Sequence, residues 1–312
     1  MNCLVTGASG FIGSALVKRL TQEGYHVRAV LHTSVPQHRL TEVDYVTADL
    51  TDPTSLSDLI HDGDVVFHCA ALVKDFGSKK TFMNANFKAT QYLAEACNHK
   101  IQRFIFLSHL HHVSTQQRGW YSYSKALAEQ YLLHKQQREN FPAVIIQPGN
   151  VYGPGATTWC LRPLQAIQQD HIALINHGKG LFLHTYIDNL LDGLLRTLTA
   201  SSIEGKVIQI TDGENNTTWK TYFNDLAALA GKEPITRSLA KPTVSLISWY
   251  MMLRYFLFHK EPLITPTAVR MFTNTDAVSI ENAKKLLGYT PSIRYSEAMT
   301  RIADWLKSEQ YI

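Results

Sequence analysis

Cys3-Leu4-Val5-Thr6-Gly7-Ala8-Ser9-Gly10-Phe11-Ile12-Gly13 is the stretch that decides the fold. Its apolar start reads as a buried strand, and its three glycines, spaced three and three rather than as GxGxxG, read as a turn. Ser14 to Leu20 follows with Leu16 and Leu20 four apart, as a buried helix face requires, and Gly24 stops it. Strand, glycine turn and helix in that order present free backbone N–H groups and a positive helix end to a phosphate. The glycines turn the chain, let backbone approach a pyrophosphate and seat the helix close to the strand. Placed between a strand and a helix, the set predicts dinucleotide binding.

Working outward, strands are expected at residues 25–31, 44–50, 64–71, 103–108 and 206–211, with another running into Gln147. Helical patterns lie at 53–60, 82–97, 161–169 and 219–230. Continuous apolar strands alternating with helices mean a parallel sheet covered on both faces. The expectation is an α/β fold: a Rossmann-type doubly wound parallel sheet with a smaller C-terminal α/β substrate lobe. Residues 1–154 and 184–212 would form the dinucleotide-binding domain, and 155–183 with 213–312 the substrate lobe.

After the strand at 103–108 stands Tyr121-Ser122-Tyr123-Ser124-Lys125. Tyr121 and Lys125 lie one helical turn apart on one face. A cation beside a phenol lowers its pKa from about 10, so the Tyr can exchange a proton while a nicotinamide exchanges a hydride. Such a pair alone also suits an ordinary surface helix.

Together these motifs resemble the extended branch of the short-chain dehydrogenase/reductase superfamily, which holds nucleotide-sugar epimerases, dehydratases and 3β-hydroxysteroid-dehydrogenase-like enzymes. The likeness also takes in Asp49-Leu50, His68-Cys69-Ala70-Ala71, Asn86-Phe87-Lys88-Ala89-Thr90, Gln147 to Gly155, Tyr186 to Asn189, and Asn282 to Pro291. It implies that Gly7, Gly10, Phe11, Ile12 and Gly13 hold the pyrophosphate, and that Asp49 and Leu50 border the adenine. Ala70, Ala71 and Lys125 would meet the nicotinamide ribose, with Pro148 and Asn150 near the carboxamide. Tyr121 would be the general acid/base, with Lys125 depressing its pKa. A homodimer through the Tyr121 helix and its predecessor is implied as well.

One departure stands out. The family's second hydroxyl residue after strand five is replaced here by His109, in Ser108-His109-Leu110-His111-His112. His109 as donor, a hydroxyl from Ser108, Ser114 or Thr115 moving in, and loss of ordinary turnover are three open explanations. The interval from this strand to Tyr121 is also short, Gln147 stands where an Arg is common, and Ala89 where a Gly is usual.

Cofactor choice turns on the end of strand two, where an acid would exclude a 2′-phosphate. This chain has Leu31-His32-Thr33-Ser34, with no acid until Glu42. With Arg28, His32 and Arg39 nearby, the site points to NADP, NAD being the alternative; Arg28 also reads as a plain surface residue. Val244 to Phe258 is apolar and aromatic. It is too short, and too marked by Arg254, to span a membrane. A buried helix of the substrate lobe is expected there; a substrate wall, a dimer contact or a membrane-surface contact are the alternatives. The aromatic segment and the Pro262-Leu263-Ile264-Thr265 that follows resemble segments of the 3β-hydroxysteroid-dehydrogenase-like group, and that resemblance implies a bulky, less polar alcohol or ketone as substrate. A nucleotide-sugar epimerase or dehydratase, and a non-catalytic NAD(P)-binding sensor, remain as other readings. The first of these would call on Lys179, Arg237, Arg254 or Arg270 for a diphosphate.

The 312 residues, 45% of them hydrophobic and 18% charged, exclude a disordered chain. A net charge of +4, scattered in pairs such as Lys79-Lys80, argues against a nucleic-acid partner. The four cysteines lack CxxC spacing and read as buried apolar residues in a reducing compartment. His109, His111 and His112 have no second ligand pair at helical spacing, so no metal is expected. A chain opening on cofactor sequence leaves no room for a leader, and the cytoplasm is the expected location.

Overall fold

The computed structural model describes residues 1–33, 39–56, 58–110 and 119–312. The chain opens with β1 (Asn2–Thr6), α1 (Phe11–Gln22), β2 (His26–Leu31), β3 (Val43–Thr47) and β4 (Val65–His68). Next, α2 (Lys79–Phe82), a π-helical turn (Met83–Lys88) and α3 (Ala89–Ala96) follow without a break. Then β5 (Arg103–Leu107), α4 (Trp120–Glu139) and β6 (Ala143–Pro148) complete the first half.

Three short strands come after it: β7 (Asn150–Tyr152), β8 (Leu174–Ile175) and β9 (His184–Tyr186). A π-helical turn (Thr157–Leu161) and α5 (Arg162–Gln168) separate β7 from β8, and α6 (Ile187–Arg196) follows β9. The remainder is β10 (Val207–Ile210), α7 (Trp219–Leu229), β11 (Ser238–Leu239), α8 (Lys241–Phe258), α9 (Pro266–Thr273), α10 (Glu281–Leu287) and α11 (Tyr295–Ser308).

Seven strands form one parallel sheet in the order β10-β6-β5-β4-β1-β2-β3. The order reverses between β1 and β4, so the crevice outside their carboxyl ends is where a doubly wound sheet takes its ligand. Successive strand residues feed opposite faces. Cys3, Val5, Phe67, Ile105 and Ile146 pack with α1 and α6, whereas Leu4, Val66, Phe104, Phe106 and Ile145 pack with α3 and α4. The unbroken apolar runs in the sequence are therefore strands buried on both sides. Tyr152 of β7 joins Phe182, Trp219 and Tyr222 in a fully buried aromatic cluster, with Phe182 stacked on Tyr222 at 4.0 Å between ring centres.

Two expectations are corrected. Among the described residues of 53–60, only Pro53–Leu56 are helical, as a 3-10 turn. Asp49 and Asp52 each accept bonds from the backbone and hydroxyl of the Thr two residues on, which ties the chain into turns. The apolar segment 244–258 is helical, as α8, yet it is not buried; of its residues only Val244 and Ser248 are enclosed.

Candidate active site

Each glycine of the first turn is fixed by a backbone approach. At Gly7, whose φ is +69°, a Cβ would lie 2.7 Å from the Ala70 nitrogen, so Gly7 lets β1 and the end of β4 converge. A Cβ on Gly13 would lie 2.1 Å from the Gly7 carbonyl oxygen. A side chain at 13 would therefore collide with the turn itself. Gly10 is exposed and precedes α1 without a side-chain cap. The first N–H groups of α1, at Phe11, Ile12 and Gly13, therefore open outward with no side chain competing for them. That cradle fits an anionic diphosphate. The Phe11 ring lies 3.7 Å from where a Cβ on Gly155 would stand, which joins the first glycine motif to the Tyr152-Gly153-Pro154-Gly155 turn.

The floor beside it is held by a buried relay. The Thr6 hydroxyl meets His68 Nδ1 at 2.7 Å, and His68 Nε2 meets the Thr90 hydroxyl at 2.9 Å. Thr90 in turn donates to the Asn86 carbonyl, and the Ala70 N–H donates to Thr6. Burial pulls His68 down to about 3, so it stays neutral and serves as a fixed strut. Ala70 and Ala71 leave β4 half-exposed at this point. Across the crevice, Pro148 ends β6 with its carbonyl accepting the Leu110 N–H, and the Asn150 N–H donates to the Leu183 carbonyl.

At the end of β2, His32 Nε2 lies 3.7 Å from an Asp49 carboxylate oxygen, both side chains exposed. Bonds from Thr51, then the nearby His32, hold Asp49 below its usual range. Leu50 packs half-buried against the α3–α4 side of the core. Arg28 is withdrawn from the cofactor set, and it is not a surface residue. It is clamped to the buried Asp64 and the Leu59 carbonyl. Arg39 lies over the Tyr45 ring at 5.2 Å.

α4 carries the second constellation. Lys125 is buried, donates to the Leu107 carbonyl at 2.6 Å and lies 3.9 Å above the Phe106 ring. Loss of water pulls its ammonium down to about 7, against the opposing charges of Glu129 and Cys69. Tyr121 departs from expectation. Desolvation, then the Asp75 carboxylate, hold its phenol above the ordinary value, and Lys125 does not lower it. The physical reason is burial of the phenol next to a carboxylate, while the Lys125 amine bonds the Leu107 carbonyl of β5.

His109 turns towards α4. Its ring lies against Tyr121 at 5.0 Å between centres, tilted by 44°, and Nε2 meets the Ser122 hydroxyl at 2.9 Å. Ser108 is buried, and by strand alternation its side chain falls on the α4 side with Phe104 and Phe106. Its hydroxyl has no hydrogen-bond partner among the described residues. Ser114, Thr115, His111 and His112 lie outside the described residues.

Sequence reasoning missed several positions. Asn86, in the π-helical turn, accepts from the Leu72 N–H at 2.7 Å and donates to the Ser124 hydroxyl at 3.1 Å. Ser124 donates to the Tyr121 carbonyl at 2.8 Å, so Asn86 ties the loop after β4 to the start of α4. Gln147 donates to buried Glu129 at 2.9 Å. Glu129 stands four residues after Lys125, a spacing that was open to view. Nothing local marks Asp75 or Ser122.

The loop bearing Asp75 also carries Phe76, whose ring packs edge-on against Tyr255 of α8 at 5.3 Å. Thr267 at the start of α9 lies against Gly119, just ahead of α4. Of the four candidate diphosphate ligands, Lys179 and Arg237 are exposed, and Arg254 lies 6.0 Å over Tyr250. Arg270 donates to Thr267 and is the one placed beside the start of α4.

Residues 3–211 match the model of the NAD dependent epimerase/dehydratase family. A 2-alkyl-3-oxoalkanoate reductase of Stenotrophomonas maltophilia is 26% identical, over 97% of this chain and 98% of its own length. A decarboxylating sterol-4-alpha-carboxylate 3-dehydrogenase of Mus musculus is also 26% identical, over 96% of this chain and 89% of its own. Among solved structures, the UDP-glucuronic acid 4-epimerase from Bacillus cereus with UDP-glucuronic acid and NAD superposes with a TM-score of 0.76. It is 25% identical, over 99% of this chain and 100% of that one. With the parallel sheet, the glycine cradle and the α4 pair in place, the chain is a member of the NAD-dependent epimerase/dehydratase family, within the extended short-chain dehydrogenase/reductases.

Proposed function

We propose that this protein interconverts an alcohol and a ketone on a mostly apolar small molecule, using NAD(P) and Tyr121 as the acid/base. One observation carries the reading: the loop whose Asp75 carboxylate acts on the Tyr121 phenol also carries Phe76, packed edge-on against Tyr255 of α8 at 5.3 Å, so an aromatic pair stands on the loop next to the reacting group. The alkyl-oxoalkanoate reductase and the sterol dehydrogenase among its relatives support the same substrate class.

In this reading Gly7, Gly10, Phe11, Ile12 and Gly13 hold the pyrophosphate. Asp49 and Leu50 border the adenine, Ala70, Ala71 and Lys125 the nicotinamide ribose, and Pro148 and Asn150 the carboxamide. A bound NAD(P) would supply the hydride donor or acceptor for this chemistry. In reduction Tyr121 donates its phenolic proton to the ketone oxygen, leaving a phenolate, and in oxidation that phenolate takes the hydroxyl proton back. His109 and Ser108 supply the hydrogen bond to the substrate oxygen that a second hydroxyl gives elsewhere in the family. NADP is the proposed preference, resting on the absence of an acid at the end of β2 and on His32 and Arg39. Free cysteines throughout fit a cytoplasmic location, and a homodimer through α3 and α4 belongs to the same proposal.

The test is Tyr121→Phe. It removes one transferable proton, so turnover on a hydrophobic alcohol or ketone should fall by about 10²–10⁴-fold while nucleotide affinity holds. Undiminished turnover refutes the assignment. Exchange of UDP-sugar epimers without net cofactor reduction replaces it with the epimerase reading, for which Arg270 would be the phosphate ligand. Tight nucleotide binding with no turnover of either class leaves the sensor.

A further inference from the structure

α8 is built inside out. Its inward side carries the buried Val244 and Ser248, and Tyr255 against Phe76. Its outward side carries Leu246, Trp249, Tyr250, Leu253, Phe256 and Leu257 at helical spacing, exposed by 54% to 74%. A soluble helix places such a stripe towards the core, and an exposed apolar face this continuous marks an interaction surface. Charge says which one. Between Glu233 and Glu261 the chain has no acidic residue, whereas Arg237, Lys241, Arg254 and Lys260 are basic.

We propose that this face of α8 docks on the surface of an anionic lipid bilayer, the helix lying in the interface with its aromatic stripe among the acyl chains and its basic residues at the headgroups. Tryptophan, tyrosine and phenylalanine together are the composition favoured at that depth. A second copy of the chain fits the face less well. A two-fold contact would set like charges against one another with no carboxylate on the face to answer them. Spanning is not involved, since no helix among the described residues is long and apolar enough to cross a membrane. The Tyr255–Phe76 contact puts the docked face beside the loop that approaches Tyr121. The proposal stands on the surface alone and does not depend on the substrate reading.

The experiment is co-sedimentation of the full chain with vesicles of phosphatidylcholine alone and of equal parts phosphatidylcholine and phosphatidylglycerol. Binding to the anionic vesicles is expected, weakened by salt. The Trp249→Ser, Phe256→Ser double variant should lose it by roughly ten-fold or more. Lys241→Gln with Lys260→Gln should reduce the preference for anionic over neutral vesicles. Thermal melting checks that the variants are folded. Quenching of tryptophan fluorescence by brominated lipid reads insertion in the unaltered protein, without any substitution. No sedimentation and no quenching with anionic vesicles overturns the proposal, as does unchanged binding by the folded double variant. Light scattering that shows a dimer broken by that variant, with no vesicle binding, assigns the face to a second copy and overturns it equally.

Discussion

The glycine turn after β1 and the helix α8 are governed by opposite constraints. In the turn, the constrained residues are answered by other parts of the same chain: Gly7 by the end of β4, Gly13 by the Gly7 carbonyl, Thr6 by His68. In α8, most of the apolar surface is answered by nothing in the described residues. Both stretches were conspicuous in the sequence. The turn could be read because close backbone approach admits few residue types at fixed spacing. The helix was misread because apolar composition reports an apolar neighbour without saying whether that neighbour belongs to the chain.

The comparison breaks most sharply at Gly13. Gly13→Val adds three carbons where even one would sit 2.1 Å from the Gly7 oxygen, so the turn must open. Overpacking of this kind typically costs about 1–3 kcal/mol, and here the displaced atoms also form the anion cradle. Isothermal titration should show nucleotide affinity lowered by roughly a hundred-fold or more, with a reduced melting temperature. Binding at the original affinity would mean that the phosphates are held elsewhere.

A second break lies inside the C-terminal lobe, where an aromatic cluster of the same residue types is sealed. Trp219 is 1% exposed, among Phe182, Tyr222 and Phe272. Trp219→Ala should cost about 3–5 kcal/mol in urea unfolding, from lost burial and the cavity left behind. A loss below about 1 kcal/mol would show that the cluster does not hold the lobe together.

How much was legible follows the same division. The parallel sheet and the positions of Tyr121 and Lys125 were readable because they rest on period, spacing and glycine geometry. His109 as a donor towards Tyr121 was one of three open readings; its ring lies against Tyr121, and its bond to Ser122 has no mark in the sequence, since it depends on a loop turning. Arg28 was misassigned because the acid that captures it, Asp64, lies two strands away in the sheet. The raised Tyr121 phenol escaped notice for a similar reason. Helical spacing put Lys125 on the same face, but burial of the phenol and the Asp75 carboxylate, neither visible in that spacing, set the direction of the phenol's shift.

Burial also gives a test with a definite sign. Lys125 is pulled down to about 7 in the folded chain from a usual 10.5, so between those values the unfolded chain binds more protons. Stability therefore rises with pH across that window, and the cost of burying the ammonium is complete below about 7. Lys125→Met removes the titration. Its gain in unfolding free energy over the unaltered chain should be a few kcal/mol near pH 6 and shrink towards zero approaching pH 10.5. A gain that grows with pH would mean that the amine is stabilised, not penalised, in its pocket.

The smallest expected effect is the most informative about the comparison. Trp249 is 65% exposed on the outward stripe of α8, with the same side chain as Trp219 and nearly the opposite surroundings. Trp249→Ala removes few contacts within the chain, so unfolding free energy should change by no more than about 0.5 kcal/mol. Set beside the loss at Trp219, this separates an aromatic that holds the fold from one kept for an external partner. A destabilisation of about 2 kcal/mol or more at Trp249 would place α8 in the structural core of the lobe, and the contrast between the two regions would disappear.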